Sequence, residues 1–340
     1  MAGRSAEDVA FGVNRWAKKR FGKAATIQGV RDLGGHSGDT FAFQVVNEDA
    51  TQSFVVRVAP AGVRHQGSTD VLRQAPLLRV LKASGIAVAE VIDTVDDSSL
   101  FDAPALIVSM LLGKPLIMGP DAGTSWMGKA DRDIAHDVAA QQLAKINAVE
   151  FAPHLSDWEA VHSPEKEINT WLPFWEKSSE PSWKSDGRRL GEALLASVPT
   201  AWHLGICHGD FQLNNVLFDV NDKGIEIGGV VDWEVAHLGA TEHDLAWFLM
   251  MNDKDAWHPV ELRGVGVDLT RIVANYEATL GDSVPNLHWF SALSCYRIAA
   301  IACYNIRLHR TGRRLDDAWE RASQSVPVLL RRAFDHLDGA

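Results

Sequence analysis

The sequence predicts an α+β chain of two lobes, an antiparallel sheet lobe followed by a mainly helical one. Three observations carry that reading. Short runs of Val, Ile, Phe and Thr bounded by turn residues fill the first third of the chain. Beyond Gly113 apolar residues recur at helical spacing, and three short strand-like runs reappear inside the helical half where polar residues concentrate. With 340 residues, 46% of them hydrophobic, the chain is long enough to fill two cores.

The elements follow in order. Ser5 and Asp8 form a capping-box pattern that opens a helix from Ser5 to Arg20. Strands are predicted from Thr26 to Leu33, Thr40 to Val46, Ser53 to Val58, Ala89 to Thr94 and Ala105 to Met110. A helix from Thr69 to Lys82 interrupts them, with Leu72, Leu77, Leu78 and Leu81 forming its apolar stripe. Helices then take over at 131–147, 165–177, 188–196, 244–251, 269–280, 288–310 and 316–336. The strand-like runs are Leu204 to Cys207, Val216 to Asp219 and Ile227 to Val231. No repeat and no long Gly/Ser/Pro linker occurs, so the lobes are expected to join directly, as residues 1–112 and 113–340.

A formal net charge of -11 argues against a nucleic-acid partner, whose binding runs on clustered Lys and Arg. Cys207, Cys295 and Cys303 sit in apolar stretches, too few and too scattered for a disulfide framework or a zinc site. The first residues lack an apolar signal core and no run approaches bilayer-spanning length, so a soluble, cytoplasmic protein without a membrane partner is expected.

The densest polar cluster is the loop His208-Gly209-Asp210-Phe211-Gln212-Leu213-Asn214-Asn215, held between two apolar runs. Asp232 follows at the end of another, in Val-Val-Asp-Trp-Glu. Phosphoryl transfer needs a carboxylate to orient the attacking hydroxyl and oxygen ligands to fix Mg²⁺ against a triphosphate. Asp210, Asn215 and Asp232 supply those groups.

These motifs resemble those of the aminoglycoside phosphotransferase (phosphotransferase enzyme) family, whose loop reads His-Gly-Asp-x-x-x-x-Asn and whose metal segment reads Ile-Asp-Trp-Glu. The resemblance runs roughly from Val30 to Trp247 and implies a bilobal, protein-kinase-like fold. It implies Asp210 as catalytic base, Asn215 and Asp232 as Mg²⁺ ligands, and His208 as a support for the loop. Asp244, in Glu-His-Asp-Leu-Ala-Trp, matches the element that braces the loop. In the first lobe, the glycine-rich connection from Gly34 to Thr40 would cover the nucleotide phosphates, with Gly35, Ser37, Gly38 and Thr40 as contacts. Ser109 and Leu111 would present backbone groups to the adenine edge. The phosphate-binding Lys of the family is replaced by Arg57, which can still donate in a fork, and the helix acid that partners it by Gln74. The implied activity is ATP- and Mg²⁺-dependent transfer of a γ-phosphoryl group to a hydroxyl of a small molecule. Hydroxyacyl-CoA is an alternative acceptor, and a nucleotide-binding scaffold without transfer is a third reading, motivated by Arg57 and Gln74.

Other features weigh less. Gly123 to Ala130 nearly spells a phosphate loop but lacks the hydroxyl after Lys129 and a leading strand. Trp158, Trp171, Trp175, Trp183 and Trp202 crowd one stretch, and packing is favoured over stacking on a substrate. Arg297, Arg307, Arg310, Arg313 and Arg314 either complement a helix C-terminus or form an anion-binding patch; both readings stay open. From Thr241 onward thirteen acids face eleven Lys and Arg, which lacks the acidic bias a polycationic acceptor would want.

Overall fold

A computed structural model describes residues 4–34, 39–47, 50–60, 62–96, 98–119, 126–152, 154–222, 224–264 and 266–339. The chain divides into two compact units. The first holds the residues up to Gly113 together with Phe151–Trp158 and Gly228–Val235. The second holds Lys114–Glu150, Glu159–Ile227 and everything from Ala236 onward.

In the first unit, helix α1 (Ala6–Phe21) opens on the reciprocal cap the sequence predicts. Ser5 Oγ accepts the Asp8 amide at 3.2 Å and Asp8 Oδ2 accepts the Ser5 amide at 2.9 Å. Strands β1 (Thr26–Asp32), β2 (Asp39–Val46) and β3 (Thr51–Val58) are followed by helix α2 (Gln74–Ala83), strand β4 (Val91–Val95), a single turn α3 (Ser98–Phe101) and strand β5 (Ala105–Ser109). They form a five-stranded sheet in the order β1-β2-β3-β5-β4, antiparallel throughout. Trp16 pins α1 to this sheet: its ring meets Phe43 and Phe54 edge-on at 5.8 and 5.6 Å, and its Nε1 donates to Asp93 at 2.8 Å. The helix predicted from Thr69 starts only at Gln74. The Asp70 carboxylate accepts the amides of Leu72 and Arg73, restarting the chain as a 3-10 turn before the helix can run on.

The second unit contains strand β6 (Lys114–Pro115), helices α4 (Lys129–Asn147), α5 (Pro164–Trp175) and α6 (Pro181–Ala196), and strands β7 (Leu204–Cys207) and β8 (Val216–Asn221). Strand β9 (Gly224–Val230) then carries the chain out of the unit at Gly228. Strand β10 (His237–Ala240) brings it back, followed by α7 (Thr241–Met251), α8 (Leu269–Leu280), α9 (Leu287–Arg310), α10 (Asp317–Ala322) and α11 (Val326–Leu337). The core gathers around α9, which buries Phe290, Leu293, Tyr296, Ala300, Cys303 and Ile306 among α5, α6, α7 and α11. Trp175 belongs to this core, and Trp171, Trp183 and Trp202 pack against it, the role favoured from sequence.

Strand β10 and the last helix also differ from expectation. Strand β10 pairs antiparallel with β7, yet all four of its residues are buried, so it lacks the alternation by which strands are read. The helix predicted over 316–336 breaks at a 3-10 turn, because Pro327 has no N–H to continue it and instead starts α11. Among the described residues no helix is long and apolar enough to cross a membrane.

Candidate active site

The polar loop leaves β7 fully buried and turns at Gly209, whose φ of 81° needs a residue without Cβ. Asp244, in the first turn of α7, receives it: its carboxylate accepts the amides of His208 at 2.6 Å and Gly209 at 2.8 Å, and Nδ2 of Asn147 at 3.2 Å. Asn147 in turn donates to the Ile206 carbonyl and accepts from the Tyr276 hydroxyl at 2.8 Å. Burial raises the Asp244 carboxyl, while His208 and the two amides oppose that rise. His208 Nδ1 accepts the Asp210 amide at 3.3 Å, so the histidine supports the loop from within.

Asp210 is held at both oxygens. Oδ1 accepts Gln212 Nε2 and Trp247 Nε1, each at 3.0 Å; Oδ2 accepts Gln212 at 3.2 Å and Asn215 Nδ2 at 3.3 Å. Burial pushes this carboxyl up, against the Arg297 charge and these three donors. Asn215 closes the loop's 3-10 turn and also donates to the Asp210 carbonyl at 2.9 Å. Its Nδ2 is committed to Asp210, which turns the amide oxygen the other way.

In the first unit, Arg57 on β3 sits in register with Thr40 on β2. Its Nη2 donates to Glu234 Oε2 at 2.6 Å and its Nη1 to Asp232 Oδ1 at 3.3 Å. Asp232 has a left-handed φ of 65°, and a 3-10 turn from Trp233 to Val235 follows it. The indole of Trp233 is buried, donating to the Val230 carbonyl. Arg73, stacked 4.7 Å over Trp158, donates to the Glu234 carbonyl. Glu234 thus supplies an acid for Arg57 that the helix, with Gln74, does not; Gln74 is buried, and its Nε2 has no acceptor among the described residues. The sequence reading passed over Glu234, although its place beside Asp232 in an acidic pair was a usable signal.

Ser109 ends β5, its amide donating to the Glu90 carbonyl at 2.9 Å and its Oγ accepting the Glu90 amide. Leu111 packs its side chain against Gly229, where an added Cβ would lie 2.5 Å from it. Among the described residues the Leu111 amide meets no acceptor. A cavity of about 290 Å³ opens beside this segment, lined by Gly29, Arg31, Gln44, Ser53, Phe54 and Met110. Gly35, Ser37 and Gly38, expected to contact the phosphates, lie outside the described residues. The connection's ends are tied by the Leu33 amide, which donates to the Thr40 carbonyl at 2.9 Å.

The residues therefore gather as two sets. Thr40, Arg57 and Asp232 stand together in the first unit; Asp210 and Asn215 stand together in the second. Each set carries a side chain of the oxygen-donor kind that Mg²⁺ takes, the Asn215 amide in the second unit and the Asp232 carboxylate, 42% exposed, in the first. Among the described residues no three His, Cys, Asp or Glu side chains converge on a possible metal position. Of the two readings left open for the arginines, the anion-binding patch loses support at two positions: Arg297 is buried, and Arg310 is bound by Glu180 and Glu320.

The family model described as the phosphotransferase enzyme family matches residues 29–278. Acyl-CoA dehydrogenase family member 10 of Mus musculus is 25% identical over 314 residues, covering 88% of this chain. The chain spans only 28% of that relative's length. Among solved structures, a provisionally named aminoglycoside phosphotransferase from Ralstonia eutropha superposes with a TM-score of 0.78 at 19% identity, covering 97% of this chain and 98% of its own. A GDP complex of aminoglycoside 2'-phosphotransferase-IIIa gives a TM-score of 0.63 at 17% identity, covering 94% and 97%. The fold is that of these structures.

Proposed function

Because the chain belongs to the phosphotransferase enzyme family, we propose that it moves the γ-phosphoryl group of ATP to a hydroxyl of a small molecule, with Mg²⁺ as cofactor. The observation that carries this reading is Asp210, a carboxylate fixed at both oxygens by Gln212, Trp247 and Asn215. A carboxylate so held cannot rotate away from an incoming hydroxyl, and burial raises its proton affinity toward that of a working base. Asp210 accepts the hydroxyl proton as the oxygen attacks phosphorus and the bond to the ADP oxygen breaks. Asn215 and Asp232 would hold Mg²⁺, which neutralises charge on the phosphate oxygens. Arg57 is the fork that grips phosphate, with Thr40 and the glycine-rich connection carrying Gly35, Ser37 and Gly38 over it. The backbone at Ser109 and Leu111 meets the adenine edge; a Leu111 amide that meets no acceptor among the described residues supports that assignment.

The experiment is ADP release across a panel of acceptors (aminoglycosides, macrolides, choline, sugars and hydroxyacyl-CoAs), run with ATP and with GTP. Asp210→Asn serves as the blank. A product absent from the blank establishes reaction and acceptor together; equal turnover in the blank removes Asp210 from the role. One observation favours a hydroxyacyl-CoA acceptor within this reading, the similarity over 88% of the chain to an acyl-CoA dehydrogenase family member.

A further inference from the structure

Three side chains of the second unit stand behind Asp210 without belonging to its loop. Trp247 of α7 is 3% exposed, and its one polar hydrogen goes to Asp210 Oδ1 at 3.0 Å. Arg297 of α9 is 6% exposed, its guanidinium carbon 4.5 Å over the Trp247 ring and 5.3 Å over the Trp171 ring. Glu167 of α5 accepts Trp171 Nε1 at 2.7 Å and faces Arg297 Nη1 at 3.6 Å.

This is an uneconomical way to bury a cation for stability alone. The 3.6 Å approach to Glu167 is too long for a hydrogen bond, and the buried Arg297 Nε has no acceptor among the described residues. What grips the guanidinium is the pair of indole faces. A cation on the face of an indole fixes the ring plane and draws electron density from it, which makes the N–H at the ring edge a stronger donor. We propose that Arg297 is a positioning residue for Asp210 that acts through Trp247, holding the indole so that its N–H orients Oδ1 of the base. The kinetic arm of the test rests on the phosphotransfer reading; the spectroscopic arm does not.

The kinetic arm is a double-mutant cycle with an acceptor found in the panel. Trp247→Phe keeps a ring under the guanidinium and removes the donor. Arg297→Gln should lower kcat about 10-fold, the scale of one hydrogen bond to a charged group, with KM for ATP within about 2-fold. In the Trp247→Phe background the same change should cost clearly less than it does alone, the remainder being the direct effect of the Arg297 charge on the Asp210 carboxyl. Additive losses would overturn the proposal. The spectroscopic arm follows the ¹⁵N-indole cross-peak that Trp247→Phe removes. It should move in Asp210→Asn and again in Arg297→Gln, with Arg297→Lys, which keeps charge without the planar stack, moving it less. A peak unmoved by both arginine variants refutes the coupling even if turnover is lost. Movement of the peak with silence across the acceptor panel would instead refute phosphotransfer to those acceptors and sustain the coupling. If Arg297→Gln does not fold, Arg297→Lys decides alone by the same peak, movement supporting the coupling and an unmoved peak refuting it.

Discussion

The Asp244 carboxylate accepts the backbone N–H of His208 at 2.6 Å, tying the first turn of α7 to the entrance of the Asp210 loop. The loop's shape is therefore set by an acid 34 residues after the base in sequence. Asp244→Ala leaves the amides of His208 and Gly209 buried without acceptors, at about 1–3 kcal/mol each. A loss of about 2–6 kcal/mol in urea unfolding, with collapsed kcat, is the expected outcome.

Arg57 gives a second prediction. Its two acids, Asp232 and Glu234, fix the guanidinium where a phosphate would meet it. Arg57→Lys keeps the charge but loses the fork, and ATP affinity by calorimetry should fall about 10-fold or more. Glu234→Gln, which frees one arm of the fork, should change affinity less than Arg57→Lys does.

Gly205 lies on β7 immediately before the loop. A Cβ there would sit 2.5 Å from the Asn147 carbonyl oxygen, a backbone atom that cannot swing aside. Gly205→Ala should cost about 3 kcal/mol in thermal or urea unfolding, the upper end of overpacking in a tight core.

His243 predicts an acid-side instability. It is buried, and burial lowers its pKa to about 3 from the ordinary 6.5, so it is neutral in the folded protein. Once pH drops below about 6.5 the unfolded chain takes up a proton that the folded one refuses. Stability should therefore fall by up to about 1.4 kcal/mol per pH unit from pH 6.5 down toward 3. His243→Gln should flatten the slope in urea titrations between pH 6.5 and 4.5.

Legibility in the sequence tracked contiguity. The Asp210 loop and the Asp232 segment could be read because each packs its chemistry into consecutive residues between apolar runs. Helix α8 runs over the predicted residues; in the structure Asp268 caps it and Gly281 ends it in a left-handed turn. The group behind Asp210 could not be read, because Glu167, Trp247 and Arg297 come from three helices and only packing joins them. In sequence Arg297 shares a helix with the arginines near its end, and nothing there tells a buried cation from exposed ones. Strand β10 was missed for a related reason, burial on every side erasing the two-residue period.

The assignment of Gly228–Val235 to the first unit has a bearing on modularity. A fragment ending at Gly113 would keep Arg57 and forfeit Asp232 and Glu234, two acids that bind it, along with Trp158, which stacks on Arg73. The sheet unit is thus not a cassette to be cut out at one bond and exchanged between relatives. A chimera that respects it must transplant three stretches of sequence together.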